Sequence, residues 1–77
     1  MTYKPLRTKC WENFLTHKGY KYNRTKGSHD IWTKKGSPRS IPVWGDEKEV
    51  PSMHIQASCR TIGCTTDEVY AWANANC

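Results

Sequence analysis

Apolar side chains first recur at helical spacing at Trp11, Phe14 and Leu15, followed by Lys18 and Gly19. With Thr8 as N-cap and Gly19 as the stop, this predicts a helix from about Lys9 to Lys18. Its buried face is Trp11, Phe14 and Leu15, with Cys10 beside them. The period then changes to two. Tyr20, Tyr22 and Arg24 alternate with Lys21, Asn23 and Thr25, which predicts a half-exposed strand ending at Lys26. Gly27-Ser28 makes a tight connection to a second strand, His29 to Lys34. Lys35-Gly36-Ser37-Pro38 reads as a turn, and Arg39 to Trp44 as a third strand with Ile41 and Val43 on one side. Pro42 has no N–H to give to a ladder, so it belongs at a sheet edge or a break. Gly45 to Pro51 reads as an acidic loop.

Helical spacing returns at Ile55, Cys59 and Ile62, predicting a second helix from Ser52 to Ile62 with Ser52 as cap and Gly63 as stop. Thr65 or Thr66 caps a short final helix, with Asp67 and Glu68 in the first turn where the dipole favours acids. That helix docks through Val69, Tyr70, Trp72 and Ala73. The order is α-β-β-β-α with a short C-terminal helix, and the fold class is α+β. The expected form is one domain over residues 1–77, a three-stranded antiparallel sheet with helices on one face.

Composition narrows the function. The longest apolar run, Val69 to Ala73, has five residues, whereas a spanning helix needs about 20, so no membrane is expected. Nine aromatics argue against a disordered tail. The net charge of +5 is unevenly placed: residues 1–40 hold ten bases against two acids, and residues 41–77 hold two bases against five acids. A polyanion is the natural partner of the first half.

Met1 to Pro5 lacks the apolar core of an export signal, which predicts a cytoplasmic protein with reduced cysteines. Cys10, Cys59, Cys64 and Cys77 allow three pairings, none favoured by the sequence. His54, Cys59 and Cys64 are each separated by four residues, at the long end of the spacing that structural zinc sites take, and Cys59 already has a place in the core. No metal and no cofactor are expected. His17, at the end of the first helix, reads as structural.

Ile31 and Trp32 are neighbours on a strand, so one is core and the other lies on the face that the helices leave open. Trp32 is the candidate for stacking on unpaired bases among basic residues such as Lys21. The densest polar cluster is Arg24-Thr25-Lys26-Gly27-Ser28-His29. It offers two cations for phosphate oxygens, a glycine that permits close backbone approach, a hydroxyl, and an imidazole that titrates near neutrality.

With RNA these parts suffice in principle for cleavage without a metal. A base takes the 2′-hydroxyl proton, the oxygen attacks the adjacent phosphorus, and an acid protonates the departing 5′-oxygen. His29 serves as base or acid, and no second proton carrier is evident. Ser28 as a nucleophile would need a carboxylate to hold its base, and Asp30 points away from His29 on a strand.

From about Leu6 to Trp72 the chain closely resembles the HicA-type toxins, small ribonucleases of toxin–antitoxin modules. The resemblance is carried by Gly19-Tyr20, by Arg24-Thr25-Lys26-Gly27-Ser28-His29 with Ile31-Trp32, by Ile41-Pro42-Val43-Trp44-Gly45, and by Gly63 with Thr66-Asp67-Glu68. It implies a double-stranded-RNA-binding-domain-like fold with His29 catalytic, while Lys21, Arg24, Lys26, Gly27, Ser28 and Trp32 are expected at the RNA on the residue chemistry given above. It also implies metal-independent cleavage of mRNA, translational arrest, and a HicB-type antitoxin that covers the active site. Where the family often has a histidine after the Pro-Val pair, this chain has Trp44. A non-catalytic RNA-binding module on the same fold is the alternative, and a protein that binds an acidic protein partner is a third reading.

Overall fold

In the computed structural model, which describes residues 4–77, two short strands frame a helix and a three-stranded sheet. The elements run β1 (Leu6–Arg7), α1 (Thr8–His17), β2 (Lys21–Lys26), β3 (His29–Thr33), β4 (Ile41–Val43), β5 (Glu49–Val50), α2 (Ser52–Ile62) and α3 (Thr66–Asn76). The expectation of a leaderless N-terminus rests partly on Met1 to Tyr3, which lie outside the described residues. No described helix is long and apolar enough to cross a membrane.

Trp11, Phe14 and Leu15 are buried on one face of α1, as their spacing predicts, and meet Ile55 and Cys59 of α2 and Val69 of α3. Ile41 and Val43 enter the same core from β4, with Pro42 between them exposed. The helices thus pack against one face of an antiparallel sheet ordered β2-β3-β4. Pro42 sits in the middle of an edge strand, where its missing N–H costs no ladder bond. α3, at 11 residues, is longer than the short helix expected from the sequence. Its cap is Thr65, whose Oγ1 accepts from the Glu68 amide at 3.1 Å.

The segment read as an acidic loop contains β5, which pairs with β1 as Leu6↔Val50 and Arg7↔Glu49. Two residues are too few to show a period, so neither strand has a signature in the sequence. This small ribbon also explains why Thr8 does not cap α1. Its amide donates to Lys48 O at 3.0 Å and its hydroxyl to Glu47 O at 2.6 Å. Thr8 is the first helical residue, Arg7 occupies the cap position, and the threonine fastens α1 to the 45–51 segment. Ser52 likewise begins α2 without capping it, because Pro51 takes the cap position.

The reduced state expected for Cys10 and Cys77 is corrected by the structure, in which the two form a disulfide. Cys10 lies on α1 and Cys77 directly follows α3, and these two helices pack against each other. Three more contacts hold α3 in place. Lys18 pairs with Glu68, whose hydrogen bond raises the lysine above its ordinary range. His17 stacks on Trp72 with centroids 5.5 Å apart, and Tyr70 Oη donates to Lys4 O. Cys59 and Cys64 remain thiols. Burial first, and the neighbouring Cys64 second, push Cys59 up to about 12. It is therefore a protonated core side chain at neutral pH, without thiolate reactivity.

Candidate active site

The β2–β3 hairpin turns on two residues, Gly27 and Ser28, because Lys26 is directly opposite His29. Gly27 has φ 63°, a left-handed conformation that side chains resist. Among the described residues beyond its chain neighbours, no atom lies within 4 Å of where its Cβ would stand, so within the protein it is the turn and not crowding that calls for glycine. The turn places His29 as the first residue of β3, at the end of the sheet.

One irregularity decides which side chains share a face. The pairing runs Lys21↔Thr33 and Tyr22↔Trp32, then shifts, so that Arg24 opposes Ile31, Thr25 opposes Asp30 and Lys26 opposes His29. Asn23 is the extra residue of a β-bulge, with its Oδ1 accepting from Arg24 Nη1 at 3.0 Å. Strict alternation would put Arg24 on the side opposite Lys21. The bulge moves it over, so Lys21, Arg24 and Lys26 all join His29, Ile31 and Pro42 on the face away from the helices.

Asp30 and Trp32 fall on the other face, opposite Val43 and Ile41 of the core. Trp32 is half-buried against that core, and its ring lies edge-on to Tyr22 at 6.4 Å. The assignment of Trp32 as an open-face stacking platform is therefore corrected. Its neighbour Ile31 takes the open face, because Trp32 is paired with the buried Ile41. Of the other expected site residues, Lys21, Arg24, Lys26, Gly27 and Ser28 are exposed and His29 is half-buried.

The helix-side face of this hairpin carries its own polar chain. Tyr22 Oη and Thr25 Oγ1 are 2.7 Å apart, and Thr25 Oγ1 donates to Asp30 Oδ1 at 2.7 Å. The Asp30 carboxylate lies where a Cβ on Gly45 would stand, so only glycine fits there without displacing it. Asp30 is thereby held away from His29 and is no partner for it. It does act on Glu12 of α1, whose carboxyl is raised first by burial and then by the Asp30 charge, with Lys9 opposing. A carboxyl raised in the fold lowers stability only where it is ionised. Glu12→Gln is therefore expected to raise the melting temperature at pH 7 and leave it unchanged near pH 3, as thermal unfolding at the two pH values will show.

Two aromatic residues that sequence reasoning did not assign to the site complete it. Because Val43 opposes Asp30, the next residue, Trp44, comes opposite His29. Their rings meet edge to face with centroids 4.3 Å apart. The indole also stacks on His54 of α2 at 4.6 Å and 24°. His29, Trp44 and His54 thus form a continuous row of rings, from the open sheet face round to the edge where β4 meets α2. His54 was visible in the sequence only as a weak zinc ligand. Its role here depends on α2 bringing its first turn against the end of β4, which no local pattern encodes. No three of His, Cys, Asp and Glu among the described residues converge as a metal-ligating group.

The arrangement offers three cations and an imidazole on one surface, with the imidazole fixed by a large ring behind it. No family profile, characterised protein or solved structure matches this chain.

Proposed function

We propose that this protein is a metal-independent endoribonuclease that cuts single-stranded mRNA, a toxin of the HicA type with a double-stranded-RNA-binding-domain-like fold. The observation that carries the reading is the Asn23 bulge, which turns Lys21, Arg24 and Lys26 onto the face that holds His29. Three cations spaced along one strand suit consecutive phosphates of a flexible chain. An imidazole at the end of that row suits proton transfer at one of them.

In this reading the phosphate to be cut lies beside His29, with Lys26 and Arg24 taking charge on its oxygens and Ser28 donating from the turn. His29 removes the 2′-hydroxyl proton, and the oxygen attacks phosphorus. The bond to the 5′-oxygen breaks, that oxygen takes up a proton from water, and His29 returns its proton to solvent. The products are a 2′,3′-cyclic phosphate and a 5′-hydroxyl. Cations that meet the phosphorane oxygens stabilise the transition state more than the ground state. A HicB-type antitoxin that covers the open face would silence the enzyme. Cytoplasmic action belongs to the same proposal.

Incubation of a defined single-stranded RNA with the protein in excess EDTA tests the reading. Fragments are expected, whereas RNA that is bound but left intact favours a non-catalytic RNA-binding module. Binding itself carries a separate prediction. Arg24→Ala is expected to lower the slope of log affinity against log salt by about 0.7, the value for one phosphate contact on a single strand. Fluorescence anisotropy over a salt series measures it.

A further inference from the structure

A groove runs along the free edge of β4, where it faces α2. One end is a cavity of about 320 Å³ walled by Trp11, Val43, Val50 and the stacked rings of Trp44 and His54, with Ser58 and the acidic Glu47 and Glu49 on its lining. We propose that this cavity receives one unstacked base of the bound RNA, and that it favours the amino-bearing bases adenine, cytosine and guanine over uracil. The inference rests on the RNA-cleaving reading above and adds to it a site of base selection.

Position is the first argument. Trp44 touches His29 with its ring and also forms a wall of the cavity. β3 and β4 are adjacent strands, about 4.8 Å apart. A nucleotide whose phosphate lies at His29 therefore has the cavity mouth within the reach of its own base.

Charge is the second. The cations of the open face lie on β2, at the opposite edge of the sheet, whereas the cavity has Glu47 and Glu49. Carboxylates repel phosphate and accept hydrogen bonds from amino groups. The backbone of the RNA is thus drawn to one edge and an amino-bearing base to the other. Uracil presents its 4-oxygen where adenine and cytosine present an amino group, guanine carries its amino group at C2 instead, and uracil alone of the four has none to give to the carboxylates.

Size and polarity are the third. The cavity is at the lower end of the roughly 300–1,000 Å³ of small-molecule sites, suited to a single heterocycle between apolar walls. His54 supplies a polar group of defined sense. Its Nδ1 is buried without a hydrogen-bond partner among the described residues, so a proton there would be a buried unpaired donor. The neutral ring carries its proton at lower cost on Nε2, which leaves Nε2 as the donor for a base edge.

The test uses His29→Ala protein, so that the RNA stays intact, and uridine heptamers whose central residue is A, C, G or U. Fluorescence anisotropy gives each affinity at low salt. The expected result is binding about tenfold tighter for the amino-bearing centres, near the lower end of what base-edge contacts discriminate. Adding Ser58→Trp, which fills the groove, or Glu49→Gln, which keeps its shape and removes a charge, is expected to reduce that preference while binding through phosphates persists. Should Ser58→Trp fail to fold, Glu49→Gln carries the test. Equal affinities for the four centres, or a preference untouched by Glu49→Gln, overturns the base site and leaves the RNA-cleaving reading standing. Failure of every heptamer to bind overturns both.

Discussion

Replacing His29 with alanine is expected to lower the rate of RNA cleavage by about 100- to 10,000-fold, the usual contribution of a positioned acid–base group. RNA affinity is expected to change little. The two effects separate because the residues proposed to attract RNA and the residue proposed to move the proton occupy different strands. Lys21, Arg24 and Lys26 lie on β2, and the substitution is at the start of β3. His29 contributes to packing through its ring contact with Trp44 at the sheet's end. The core of Trp11, Phe14, Leu15 and Ile55 does not include it. Single-turnover cleavage with matched anisotropy titrations measures both quantities. Affinity that falls in step with the rate would instead assign His29 to binding.

The second large effect concerns the Cys10–Cys77 bond, which closes a sequence separation of 67 residues. In the chain-entropy account, opening a loop of that length costs about 4 kcal/mol. A domain of this size has a total stability on the order of 4–12 kcal/mol, so reduction removes a large share of it. The expected result is a fall in melting temperature of roughly 15 °C or more when the protein is unfolded with dithiothreitol. Cys77→Ala is expected to melt like the reduced wild type, because both lack the same constraint. Equal melting temperatures with and without reductant, once thiol titration shows all four cysteines free, would contradict this account. In a reducing environment α3 would still be held by the Lys18–Glu68 pair, the stacking of His17 on Trp72, the Tyr70–Lys4 hydrogen bond, and the burial of Val69 and Ala73.

The parts of the fold that were legible in the sequence are those written in a period. Trp11, Phe14 and Leu15 repeat at helical spacing and are buried together, as are Ile55 and Cys59. Pro42 pointed to an edge or a break because proline lacks a donor, and β4 is an edge. What was not legible depends on contacts between distant segments. The pairing of β1 with β5 involves two residues on each side. Cys10 and Cys77 meet only because α1 and α3 pack, and their spacing carries no sign of it.

The site shows the same division at finer scale. The run from Arg24 to His29 stood out by composition, and its residues do lie around one hairpin turn. The common face of Lys21 and Arg24 could not be read, because a bulge at Asn23 leaves the alternating pattern looking unbroken. Ile31 and Trp32 were equally apolar neighbours, and only their partners Pro42 and Ile41 decide which one is covered. Trp44 and His54 become neighbours through the packing of α2 on the sheet edge, beyond the range of any local pattern.

The most direct test of the central claim compares two substrates with purified wild-type protein in excess EDTA. One is a defined single-stranded RNA, and the other is the same sequence with every 2′-hydroxyl replaced by hydrogen. The account predicts that the RNA is cut, with 2′,3′-cyclic phosphate on the upstream fragments, and that the 2′-deoxy strand stays whole. Binding of the RNA without any cut, or equal cutting of both strands, would contradict attack by the 2′-hydroxyl at His29.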